Sequence, residues 1–236
     1  MENTTFENHT FSIKKSISFG WMRTKQFWKM MLLIIITVIA ITVPSNISSQ
    51  YSYYLESSHL QPTPSFVAIN ILLQIITQII SIWLGYNIVK MGLKMTSGHT
   101  AKYKEMFHYD KDTIKNIWKY FLGSLLLGLL VILGLILFII PGIYFATKYA
   151  FVPYLIVDKG MGIFEAFGKS AEMTLNNKWS LIGFYLISGL IILLGLLLLV
   201  IGTIPASIIV TFANYYIYRE LLGEHMANKT ELKAAQ

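Results

Sequence analysis

The sequence contains no cysteine. This excludes disulfides, thiol catalysis and thiolate metal sites. It is also poor in charge. Only 13% of its 236 residues are Asp, Glu, Lys or Arg, where a soluble domain carries about a quarter. Acidic residues are scarcest, 12 against 19 Lys and Arg. None falls in the interior of a long apolar run, Glu220 only ending one, which removes the side chains that proton relays within membranes normally use. No phosphate-binding loop is present, because GLKMTSG lacks the Gly-Lys-Ser/Thr arrangement. His99 and His108 stand in a polar loop without carboxylates at ligand spacing, so they read as solvated. No catalytic constellation, metal site or cofactor is expected.

What the sequence has instead is apolar length. Hydrophobic residues make up 55% of it, and the mean hydropathy is +0.57. A spanning helix needs about 20 mostly apolar residues. Such runs occur at about 28–46, 66–89, 117–140, 142–157, 179–201 and 204–220. The first follows a long polar leader and no small-x-small cleavage pattern follows it, so it reads as a retained helix. The expected fold is all-α: a polytopic membrane protein with six transmembrane helices arranged as three hairpins. Residues 1–27 form a cytoplasmic amphipathic segment, residues 28–222 the membrane domain and residues 223–236 a cytoplasmic polar tail.

Charge placement supports this topology. All Lys and Arg residues but one precede the first run, separate the second from the third, separate the fourth from the fifth, or end and follow the sixth. Cytoplasmic loops collect Lys and Arg, so both termini are expected inside. The net charge of +7 then reflects topology and contact with anionic headgroups. No nucleic-acid recognition motif accompanies it, so no nucleic acid is expected.

A Trp opens each odd-numbered span: Trp28, Trp118 and Trp179. These read as interfacial anchors. Before the fifth span, Ile163, Phe164, Phe167, Ala171 and Leu175 share one helical face, and Glu165, Lys169, Glu172 and Asn176 another. Ile13, Ile17 and Trp21 repeat this before the first span. Such helices lie in the headgroup plane.

The run PGIYFATKYAFVPYLIVDKGMGIFEAFGKSAEMTLNNKW at 141–179 resembles a motif of bacterial integral-membrane proteins related to the membrane domain of glycerophosphodiester phosphodiesterases. Pro141, Gly142, Tyr144, Tyr149, Pro153, Asp158, Glu165, Ala166, Ser170, Thr174 and Trp179 carry the resemblance, and ISFGW at 17–21 looks like the usual opening of such proteins. The resemblance implies a six-helix fold in the bacterial cytoplasmic membrane, with no established activity. The soluble phosphodiesterase half is absent, so hydrolysis does not carry over.

Two groups of residues invite a functional reading. Asn70, Gln74, Gln78 and Ser81 lie within an arc of about 100° on the second helix. They are either a hydrophilic groove or interhelical glue worth about 0.6–2 kcal/mol per bond. Thr211 and Asn214 continue the idea on the sixth. Lys148 is the one basic residue deep inside an apolar run; Lys29, Lys119 and Arg219 stand at run ends. It lies about 10 Å along the helix from Pro141, against about 15 Å for half the hydrocarbon core. It can snorkel outward, bond to polar groups on the second or sixth helix, or line a cavity for an anion. Pro141 and Gly142 are expected to form the hairpin turn, and Pro153 a kink.

The leading expectation is a non-enzymatic membrane protein acting in envelope maintenance through lipid, with anionic headgroups on the cytoplasmic side, or through a partner protein or a second copy of itself. The alternative is a small transporter or channel built on the groove of Asn70, Gln74, Gln78, Ser81, Lys148, Thr211 and Asn214.

Overall fold

The computed structural model describes residues 10–97, 102–107, 113–197 and 202–224. Residues 1–9 of the expected amphipathic segment, His99 and His108, the end of the fifth run at 198–201 and the tail beyond Glu224 lie outside these. The described residues are helical, with no strand among them. The helices are α1 (Ile13–Ser57), α2 (Pro64–Thr96), α3 (Thr113–Leu137), α4 (Ile139–Lys148), α5 (Val152–Lys159), α6 (Ile163–Thr174), α7 (Lys178–Leu197) and α8 (Thr203–Leu221), with a 3₁₀ turn at Tyr103–Phe107.

The first helix is longer than the sequence suggests. Its 45 residues extend about 67 Å at 1.5 Å per residue, more than twice the hydrocarbon thickness of about 30 Å. It bends at Phe27, the single non-helical residue inside it, one position before the expected span start at Trp28. It then passes residue 46 and Pro44 without stopping, up to Ser57. Helix α2 starts cleanly: Thr63 accepts a hydrogen bond from the Phe66 amide, and Pro64 occupies the first turn, where its missing N–H costs nothing.

Five helical segments are long and apolar enough to cross a membrane: α1, α2, α3, α4 with α5, and α7. Their large apolar side chains stand exposed, among them Ile36, Ile69, Leu133, Ile136 and Leu194. So much unpartnered apolar surface is what a multi-pass membrane protein presents to lipid. The expected sixth run forms α8, which is not among the five. The reason lies in its neighbours. Helix α8 packs on α1, α7, α2 and α5, and Ala206, Ile209, Phe212, Tyr215, Ile217 and Tyr218 are buried. Protein rather than lipid surrounds it, so it tolerates tyrosines and an arginine.

The core gathers at one end of the bundle. Phe151, Val152, Leu155 and Ile156 of α5, Leu93 and Met95 of α2, Leu181 and Phe184 of α7 and Phe212, Ile217 and Tyr218 of α8 are buried there. Helix α1 runs antiparallel to α8, as Phe19 stacks near Tyr216 and Phe27 near Phe212. Gly20 allows the approach, since a Cβ there would stand 2.2 Å from the Ile209 carbonyl oxygen. The start of α1 and the end of α8 therefore lie at the same end of the bundle.

Candidate functional site

The chain reverses direction not at Pro141 and Gly142 but at Phe138. That residue is extended between α3 and α4 (φ −163°, ψ 153°). Pro141 and Gly142 sit inside the first turn of α4, where proline lacks only an N–H that has no partner anyway. Gly142 serves close packing, for a Cβ on Gly134 would meet its Cα at 2.8 Å. This corrects the expected Pro-Gly turn. The same antiparallel register continues where Gly123 faces Ile156. Lys148 thus lies midway along α3.

The interruption after Lys148 is real, and Pro153 stands in the first turn of the helix that follows it. A broken helix leaves backbone groups without partners. Helix α6 supplies them. Ser170 Oγ accepts from the Phe151 amide at 3.3 Å and donates to the Lys148 carbonyl at 3.0 Å. Thr174 Oγ1 donates to the same carbonyl at 3.1 Å. Both hydroxyl residues are fully buried.

Helix α6 has three faces. Ala166, Ser170, Met173 and Thr174 are buried against the broken helix. The charged residues Glu165, Lys169 and Glu172 occupy another face. The apolar face expected from the sequence is divided: Phe164 is 83% exposed and Leu175 58%, while Phe167 packs on Tyr149.

The Lys148 ammonium rests on two tyrosine rings, 5.7 Å from the centre of Tyr144 and 5.1 Å from that of Tyr149. Neither α2 nor α8 provides its partner. A second cation joins it: Lys178 Nζ donates to Tyr144 Oη at 3.2 Å and lies 5.0 Å from the ring centre. Neither lysine forms an ion pair with a described carboxylate. Beside them Trp179 is 85% exposed.

The other expected groove residues are elsewhere. Asn70 donates to the Ser48 carbonyl and to Ser52 Oγ, and Gln74 donates to Ser49 Oγ, all on α1. This is interhelical glue. Gln78 borders an apolar cleft between α2 and α3, and Ser81 is half-buried on the same helix. Asn214 accepts from Tyr185 of α7, while Thr211 bonds within α8 to Ser207. The structure does not assemble these residues with Lys148. Of the expected anchors, Trp28, Trp118 and Trp179 are all exposed, at 51%, 60% and 85%.

Two charged clusters were not anticipated as sites. Arg219 of α8 forms a two-pronged pair with Asp158, both contacts at 2.9 Å, and Tyr218 donates to the same carboxylate at 2.9 Å. Glu224 links Arg219 to Lys159. This network ties the end of α5 to the end of α8. Asp158 was visible only as a resemblance position and Arg219 only as a flanking cation. The second cluster is Arg23, 3% exposed, which lies over Phe19 and Phe27 and donates to Gln26. In the sequence it counts only among the basic residues that precede the first span.

These features define an all-helical, multi-pass membrane protein with a broken fourth apolar segment and an unpaired cationic pair beside the break. No family model matches the chain, and no curated protein or solved structure is significantly similar to it. Among the described residues, no group of His, Cys, Asp or Glu could hold a metal ion.

Proposed function

We propose that this is a non-enzymatic protein of the bacterial cytoplasmic membrane that engages anionic lipid headgroups through Lys148 and Lys178. The observation that carries this is their convergence on Tyr144 without a carboxylate. Two ammonium groups sharing one phenol repel each other, and an anion between them relieves that repulsion. The exposed Trp179 and Phe164 suit an interface, where aromatic rings sit at headgroup level. On this reading Lys148 is not a charge stranded in hydrocarbon. The anion would reach it where the helix is broken and α6 returns, beside Ser170 and Thr174.

The six-span topology belongs to the same proposal. Helix α8 returns antiparallel to α7, as the pairing of Tyr185 with Asn214 and of Gly195 with Gly202 indicates. It is counted as a sixth span shielded by protein, with both termini on the cytoplasmic side. The resemblance to the phosphodiesterase-related membrane family fits this reading, as does a role in envelope maintenance through lipid or a partner protein. A transporter would need Gln74, Gln78 and Lys148 around one cavity, and their surroundings differ.

The test equilibrates purified full-length protein with vesicles mixing phosphatidylglycerol and phosphatidylcholine, then identifies retained lipid by mass spectrometry. Wild type should enrich phosphatidylglycerol. Lys148→Met with Lys178→Met should reduce the enrichment, each cation near the surface being worth about 1 kcal/mol. Equal retention by both proteins defeats the proposal.

A further inference from the structure

Arg23 is 3% exposed, and its Nε and Nη2 atoms are buried without a hydrogen-bond acceptor among the described residues. Only Nη1 is served, by Gln26 Oε1 at 2.6 Å. The two unserved nitrogens stand together. Nε and Nη2 donate from the same edge of the guanidinium plane, the edge that grips a two-oxygen anion through parallel N–H bonds. No ion pair among the described residues includes Arg23. Arg219 shows the contrast: both its terminal nitrogens reach carboxylates, those of Asp158 and Glu224. Arginine stays protonated in proteins, and a buried charge without a partner is costly. The open edge of Arg23 is therefore one half of an ion pair.

The position of Arg23 says where the other half comes from. The guanidinium lies 5.2 Å from the Phe19 ring centre and 5.9 Å from that of Phe27. These apolar neighbours exclude water and so strengthen an ion pair made there. Gln26 is exposed and Phe27 half-buried, so the guanidinium reaches from the core toward the surface where α1 bends. Arg23 precedes Trp28 by five residues, about 7 Å of helix. Trp28 is exposed at the start of the apolar run, and such aromatics mark the edge of the hydrocarbon. Headgroups fill about the next 5–7 Å, since a bilayer of about 40–45 Å has a core of about 30 Å. The open edge of Arg23 thus stands at the depth of lipid phosphates.

We infer that Arg23 is a binding site for the phosphate of a membrane phospholipid. Two phosphate oxygens accept from Nε and Nη2, while Gln26 holds Nη1 and so fixes the plane of the fork. Rotation of the half-buried Phe27 ring admits the phosphate. The phosphodiester is common to zwitterionic and anionic phospholipids, so this site retains phospholipid without sorting headgroups by net charge. In this it differs from the site at Lys148 and Lys178, with which it shares no residue. It rests only on α1 crossing a membrane.

The test uses full-length protein stripped of lipid in a maltoside detergent and phosphate-free buffer. Dioleoylphosphatidylcholine, a galactosyl diacylglycerol that lacks phosphate, or inorganic phosphate is then titrated in. Binding is read by native mass spectrometry and by the thermal unfolding midpoint. Wild type should bind phosphatidylcholine at least about tenfold more tightly than the galactolipid, since two charge-assisted hydrogen bonds are at stake. Arg23→Met should lose that advantage. Without lipid its midpoint should equal or exceed that of wild type, because an apolar side chain has replaced an uncompensated buried charge; lost binding is then not lost folding. Arg23→Lys keeps a charge but not the fork and should bind less tightly than wild type. Lys148→Met with Lys178→Met should leave the phosphatidylcholine advantage intact, so failure here is separable from failure of the headgroup proposal above. Equal binding of the two lipids by wild type, or an advantage undiminished in Arg23→Met or Arg23→Lys, overturns the inference. So does inorganic phosphate binding as tightly as phosphatidylcholine, which would make this a site for a free anion.

Discussion

Ser170 holds the broken helix together from both sides. Its hydroxyl accepts from one strand end of the break, the Phe151 amide, and donates to the other, the Lys148 carbonyl. Replacement by alanine leaves a buried N–H without a partner, which costs about 1–3 kcal/mol. Ser170→Ala should therefore lower the thermal unfolding midpoint in detergent. Thr174→Val should cost less, since Ser170 still serves the same carbonyl. Glu224 makes a different kind of prediction. Burial pushes its carboxyl up, but hydrogen bonds from Lys159 and Arg219 outweigh this and leave it below the ordinary value of 4.5. A depressed folded pKa means stability is present above the unfolded value and lost as pH falls through the folded one. Stability should thus decline on acidification below about pH 4.5. Glu224→Gln should flatten that decline, as followed by thermal melts between pH 6 and pH 3, a range set by ordinary carboxylate titration at roughly 4.

At the level of helices, glycines divide into those that permit contact and those that do not matter. The α1–α8 contact depends on Gly20, where an added Cβ meets backbone at 2.2 Å. Backbone cannot swing aside as a side chain does. Gly20→Ala should separate the helices and cost about 1–3 kcal/mol. Gly128 of α3 has no atom within 4 Å of its would-be Cβ, so Gly128→Ala should be neutral or stabilising, by up to about 1 kcal/mol of helix propensity. Thermal melts of the two single variants compare them directly. The sequence alone does not separate the two glycines; their neighbours do. The same holds for α6. Its apolar and charged faces were legible from periodicity, but the face that packs is the third one, of Ala166, Ser170 and Thr174. Small and hydroxylated residues are weakly hydrophobic, so no hydropathy pattern marks them as buried.

For the molecule as a whole, the testable quantity is topology. The start of α1 and the end of α8 lie together, and the basic loops lie between alternate apolar runs. Reporters fused to the two ends should therefore both be cytoplasmic: green fluorescent protein bright and alkaline phosphatase inactive at each. Opposite results at the two ends would reduce the chain to an odd number of spans. Five segments were apolar enough to recognise by length and composition. Helix α8 was harder to grade because its solvent is the other helices.

Composition and periodicity thus determined the helical class, the apolar segments and the distribution of charge, because lipid acts on each side chain through its own transfer energy, whatever its neighbours. Tertiary structure decided which polar groups meet. Asn70 and Gln74 were on a visible stripe, yet only packing assigned them to α1 serines rather than to Lys148. Lys148 and Lys178 meet at Tyr144, and Asp158 meets Arg219, across 34 and 61 positions of chain. Pairings of that separation depend on where α6 and α8 return, and hydropathy read along one segment contains no information about the return of another.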